Sequence, residues 1–133
     1  MCSMCETSPI PLPTWMRRAL FATAAMNVVG AAAFVPAARS VRALAGFPAD
    51  APPLYLMTIA ALVLVFGLGY LWAAVANRAE RLFIGVAAAG KLSFFGLLVW
   101  FSAAGALPLR AVLTGAGDLV FGVMFLVWLF GRT

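Results

Sequence analysis

Between Leu82 and Leu109 the chain carries one charge, Lys91, and between Ala111 and Gly131 it carries one more, Asp118. An ammonium or a carboxylate standing alone in an apolar run is expensive to remove from water, so each needs a partner or a purpose. Asn27, Tyr70 and Thr114 lie in similar runs and can supply hydrogen bonds. Asn27, Tyr70, Lys91, Thr114 and Asp118 together make a candidate polar site. Such a set can bind a small molecule, pass an ion or proton, or only hold helices in register.

The other reactive groups are weaker candidates. Cys2 and Cys5 have a C-x-x-C spacing that suits metal binding or a redox pair. It supplies two thiolates where a closed zinc site needs four, and Glu6 stands where haem attachment requires histidine. An inert tail and a dimer sharing four thiolates are the two readings. Glu80 in "ANRAER" is a potential acid or base, but beside Arg78 and Arg81 it reads as part of a charged turn at the lipid headgroups. The glycines of "FGLGY" have no strand before them, which excludes a nucleotide loop. The chain has no histidine, the commonest metal ligand and general base. No metal and no cofactor are expected. An enzyme would have to rely on Lys91 with Tyr70 or Asp118.

The elements that must position these residues follow from composition. Of 133 residues, 65% are hydrophobic and 10% charged, against about 25% charged in a soluble domain. A chain this short cannot hide so much apolar surface from water, so its solvent must be lipid. A net charge of +5 does not point to nucleic acid here. Most arginines flank apolar runs, where they meet headgroups.

Four apolar segments are read as transmembrane helices, at about 19–38, 53–76, 82–104 and 108–130, each long enough to cross a ~30 Å hydrocarbon core. Residues 1–16, with Pro9, Pro11 and Pro13, read as a flexible cytoplasmic tail, and 17–133 as one up-down four-helix transmembrane bundle. The longest loop runs from Arg39 to Pro53. Short connections are expected to make the second, third and fourth helices antiparallel neighbours. The segment from Arg17 through "VPAARS" also has the outline of a signal peptide, but its apolar stretch is long for one and Asn27 interrupts it.

Small residues mark the faces that should meet inside the bundle. Thr23, Asn27, Gly30, Ala31 and Phe34 share one face. Gly67, Tyr70, Ala74 and Asn77 share a second, and Thr114, Gly115, Asp118 and Gly122 a third. In the third helix the stripe is Gly85, Ala89 and Ser93, with Lys91 off its centre. At 1.5 Å per residue, Lys91 lies about 13 Å and Asp118 about 18 Å from one membrane face, with Asn27 near 12 Å and Tyr70 near 9 Å. The offset of about 5 Å between Lys91 and Asp118 is within reach of a lysine stem, so the two are expected to pair.

Orientation rests on arginine placement. Arg17, Arg18, Arg78, Arg81 and Arg132 fall on one side, and Arg39, Arg42 and Arg110 on the other. The asymmetry places both termini in the cytoplasm.

The runs "PLYLMTIAALVLVFGLGYLWAAVANRAER", "GVAAAGKLSFFG" and "GALPLRAVLTGAGDLVFGVMFLVWL" resemble a group of small bacterial four-helix membrane proteins that has no established activity. The shared features are Asn27, "FVP" at Phe34 to Pro36, Gly67 to Ala74, Gly90–Lys91, Gly105 to Pro108 and Asp118–Leu119. The likeness extends from about Arg18 to Leu129, and more distantly to DoxX-like proteins. It departs at "ANRAER", where the group has a D-P-x-R-H stretch, and at Gly117, where the group has asparagine. A role resting on that histidine or asparagine does not carry over. The resemblance implies the fold, a bacterial inner-membrane location and the polar set, and no activity.

The reading is therefore a non-enzymatic accessory or small-ligand-binding subunit in contact with membrane lipid, alone, as a homo-oligomer or in a larger membrane complex. The alternatives are a small transporter or proton-conducting protein, and a membrane enzyme acting on a lipid or quinone.

Overall fold

The structure, a computed structural model, describes residues 11–131. The C-x-x-C pair, Arg132 and most of the expected tail lie outside the described residues. Among the described residues all regular structure is helical: α1 (Thr14–Ala33), α2 (Arg39–Ala45), α3 (Pro53–Ala76), α4 (Arg81–Ala103), α5 (Leu109–Thr114) and α6 (Ala116–Phe130). Pro53–Ala76, Arg81–Ala103 and the combined stretch Leu109–Phe130 are long and apolar enough to cross a membrane. At 1.5 Å per residue even the shortest, 22 residues, reaches about 33 Å.

The first helix begins and ends five residues earlier than the 19–38 read from sequence. Its start follows Pro13, whose fixed φ suits the cap position. Arg17 and Arg18 do not delay it, because Arg17 Nε donates to the Ala74 carbonyl at the end of α3, 2.8 Å away. Its end precedes Pro36, which disfavours helical geometry at Val35. Residues 14–16 are thus helical, and Leu12 is buried with its N–H directed at the Asn77 carbonyl, 3.3 Å. The expected tail is shorter than sixteen residues for that reason.

The expected long loop contains α2. Its Arg42, 1% exposed, donates to the carbonyls of Ala33, Val35, Pro36 and Ala49. A cation is well placed at the carbonyl end of α1. Gly46 closes α2 at φ 94°, where a Cβ would also lie 2.8 Å from the Ala111 nitrogen. Phe47 then packs between Phe34 and Phe94, with ring centroids 5.6 and 6.3 Å apart. This folds α2 across one end of the molecule.

The helices pair through small residues. α1 packs along α3, and α4 along α6, with α1 also meeting α6. Gly67 of α3 sits so close to α1 that a Cβ would approach Asn27 Cβ to 2.9 Å, and a Cβ on Gly122 of α6 would approach Leu92 of α4 to 2.8 Å. The backbones of α3 and α4 are farther apart despite the short turn joining them. Phe66, Tyr70 and Phe83 fill the space between them, with Phe66 and Phe83 stacked at 5.9 Å and Tyr70 5.6 Å from Phe83. The second and third long helices are therefore not the close backbone neighbours that the turn length suggested. The Phe83 ring seats against Gly69 of α3, where a Cβ would meet it at 2.8 Å, so a ring and not backbone fills this interface.

The outer surface is apolar. Leu82 is 82% exposed, and Trp72 and Phe130 are each 76% exposed. Contiguous apolar surface of this extent is covered by lipid or by another membrane chain. The molecule is thus a small multi-pass α-helical membrane protein.

Candidate functional site

Lys91 lies on the buried face of α4 with Ile84, Ala87, Ala88 and Leu98. This corrects the expected stripe of Gly85, Ala89 and Ser93, because Ala89 and Ser93 are exposed. The alanines one turn before Lys91 leave room for a long side chain to enter the bundle. Lys91 Nζ donates to Asp118 Oδ1 at 2.9 Å and, more weakly, to Asn27 Oδ1 at 3.4 Å. The two charged side chains are 5% and 20% exposed.

Each partner is held in turn. Asn27 Nδ2 donates to the Val63 carbonyl of α3 at 3.0 Å, which orients its oxygen toward Lys91. Asp118 sits in the first turn of α6, where a carboxylate is favoured by the unpaired N–H groups and the helix dipole. That first turn exists because the helix read as continuous over 108–130 is interrupted at Gly115. The Asp118 N–H bonds to the Gly115 carbonyl at 3.0 Å, a tight i→i+3 turn. A side chain on Gly115 would run into Leu98 of α4.

Aromatic rings complete the surroundings. Nζ lies 5.2 Å from the centroid of the Tyr70 ring and 5.9 Å from that of Phe121, within cation–π range. Tyr70 is 2% exposed and packs against Phe125 at 5.6 Å. Asn27, Tyr70, Lys91 and Asp118 thus converge from α1, α3, α4 and α6. Thr114 does not join them. Its exposed hydroxyl faces the Arg110 carbonyl one turn back, 2.8 Å, and the Ala45 carbonyl of α2, 3.0 Å.

One participant, Phe121, and one buried polar neighbour along α1, Thr23, escaped the sequence reading of the site. Phe121, one turn beyond Asp118, is identifiable only once the helices are packed. Thr23, one turn before Asn27, is fully buried and its hydroxyl has no hydrogen-bond partner among the described residues. Its place on the Asn27 face was a usable signal.

The site holds one positive and one negative charge and no metal-binding cluster. Among the described residues no group of three or more His, Cys, Asp or Glu comes together. Glu80 is exposed at the start of α4, far along that helix from Lys91. Comparison of the chain with family models, with curated proteins and with solved structures gives no match. None of these comparisons ties the chain to DoxX-like proteins or to another family.

Proposed function

We propose that the protein is a four-crossing integral protein of a bacterial inner membrane, with both termini in the cytoplasm, acting as a non-enzymatic accessory or small-ligand-binding subunit. α1 supplies the fourth crossing. It is 20 residues long and packs along α3, so a membrane crossed by α3 encloses α1 as well. The order of motifs shared with small four-helix bacterial proteins, and more distantly with DoxX-like ones, is in keeping with this architecture.

One observation carries the functional reading: Lys91 and Asp118, 2.9 Å apart, are engaged with each other and with Asn27 inside the bundle. A nucleophile or general base needs a free group facing substrate, and neither charge of this pair is free. Homo-oligomers or a larger membrane complex would cover part of the apolar exterior. A second reading, a small transporter or proton-conducting protein, is favoured by the helix interruption at Gly115, three residues before the buried carboxylate.

The test compares wild type with the Lys91→Met/Asp118→Leu double variant. Both are purified in mild detergent and extracted for retained small molecules. A compound held by wild type and absent from the variant is the expected result. If neither retains a compound, and wild type alone conducts protons in liposomes, the transport reading replaces the binding one.

A further inference from the structure

Among the described residues four arginines, Arg17, Arg18, Arg78 and Arg81, gather at the end of the molecule formed by the start of α1, the turn after α3 and the start of α4. Two of them serve the fold. Arg17 Nε reaches the Ala74 carbonyl, and an Arg81 terminal nitrogen reaches the Leu129 carbonyl at 2.9 Å, so each caps the carbonyl end of a neighbouring helix. The side chains of Arg18 and Arg78 are exposed and make no hydrogen bond or ion pair with a described residue. Glu80 is the one acid at this end among the described residues.

Arg18 also borders a groove of about 630 Å³ between α1 and α6, whose walls are Trp15, Ala19 and Ala22 on one side and Phe121 and Met124 on the other. Beside it lies a smaller hollow of about 260 Å³, bordered by both Arg17 and Arg18 together with Asn77. An apolar furrow thus runs along the bundle and meets a cationic hollow where the helices approach the headgroup level.

We propose that this furrow is a binding site for an anionic phospholipid, with an acyl chain between α1 and α6 and the phosphate between Arg17 and Arg18. Charge decides the occupant. Arginine forks match phosphate oxygens, and the adjoining furrow matches hydrocarbon. A soluble anion would leave the furrow unfilled. A second copy inserted in the same direction would bring its own arginines to the same level, adding repulsion. Arg18 belongs to both cavities, so it ties the two halves of one amphiphile together. This site is separate from the Lys91 site and does not depend on the role proposed for it, although Phe121 borders both.

The test is native mass spectrometry of the full chain in detergent, titrated with phosphatidylglycerol, with phosphatidylcholine of the same chains, or with inorganic phosphate. One phosphatidylglycerol should be retained in preference to phosphatidylcholine. Arg18→Gln should weaken that retention about fivefold, the worth of one juxtamembrane arginine. Arg78→Gln, outside both cavities, should leave it unchanged, and Ala22→Phe, which fills the furrow, should abolish it with Arg18 intact. Equal binding of both lipids, an equal loss in the Arg78 variant, or lipid-free dimers seated on this face would overturn the site. Competition by inorganic phosphate at equal concentration would do the same.

Discussion

At the scale of single residues, the Lys91–Asp118 pair is the sharpest object for experiment. The bond between them is 2.9 Å, and Asn27 and two aromatic rings surround the ammonium. Removing one partner strands the other charge, which elsewhere costs roughly 3–5 kcal/mol, while removing both leaves an apolar contact. Lys91→Met and Asp118→Leu should each lower the melting temperature in detergent, and the double variant should recover much of the loss. Additive losses would falsify the coupling. Arg42 offers a second case. It is buried and satisfies four carbonyls, so Arg42→Met should cost at least about 2 kcal/mol through stranded acceptors. The nearby Arg39–Asp50 pair is bidentate at 2.7 and 2.8 Å but fully exposed. The hydrogen bond from Arg39, and then its charge, hold the Asp50 carboxyl below the usual carboxylate range. Its contribution is therefore present above the ordinary carboxylate pKa and fades as pH falls through the lowered one. Solvent screening keeps it small, so Asp50→Asn should leave the melting temperature and its acid dependence nearly unchanged.

At the scale of helices, glycines decide which pairs touch. A methyl added at Gly67 meets Asn27 Cβ at 2.9 Å, an atom fixed to the α1 backbone inside the bundle. A methyl at Gly122 meets Cδ2 and Cγ of the half-buried Leu92 at 2.8 and 2.9 Å, so that side chain must change rotamer, while no backbone-anchored Cβ lies closer than 3.6 Å. At Gly90 there is nothing within 4 Å. Gly67→Ala should therefore destabilise by about 1–3 kcal/mol, as overpacking does. Gly122→Ala should cost less. Gly90→Ala should gain up to about 1 kcal/mol from helix propensity alone. Thermal unfolding of the three variants checks the order, and a Gly90 variant as unstable as the Gly67 one would contradict these contacts. At Gly67 the α3 backbone meets α1 directly, whereas across the four-residue turn to α4 its Gly69 meets the Phe83 ring, which keeps those two backbones apart.

For the whole molecule, topology is the property to measure. The arginine-rich end should face the cytoplasm. In intact cells Cys2 and Cys5 should resist a membrane-impermeant maleimide and react after permeabilisation. A cysteine placed at Ser102, near the opposite end, should react without it. Labelling in the reverse order would invert the orientation and, with it, the leaflet from which the phospholipid is drawn.

Composition and run length alone determined that the chain is helical, apolar and multi-pass, because each isolated run must satisfy its own backbone and span a fixed thickness of hydrocarbon. Asn27, Tyr70, Lys91 and Asp118 could be singled out for the same reason, since a polar group in lipid stands out against its neighbours. That Lys91 and Asp118 could reach one another was legible too, because helical rise is constant, and the two meet at 2.9 Å. Direction around the helix axis was not. Whether Lys91 or the Gly85–Ser93 stripe faced inward depended on which helices were neighbours, and that depended on glycines and phenylalanines meeting across three separate segments. Thr114 illustrates the limit. It shares a helical face with Asp118 in sequence, but the interruption at Gly115 and the fold of α2 over α5 turn its hydroxyl to Ala45 instead. The start of α1 was hidden for a related reason: two arginines look like a boundary until the end of α3 is placed beside them to accept the hydrogen bond.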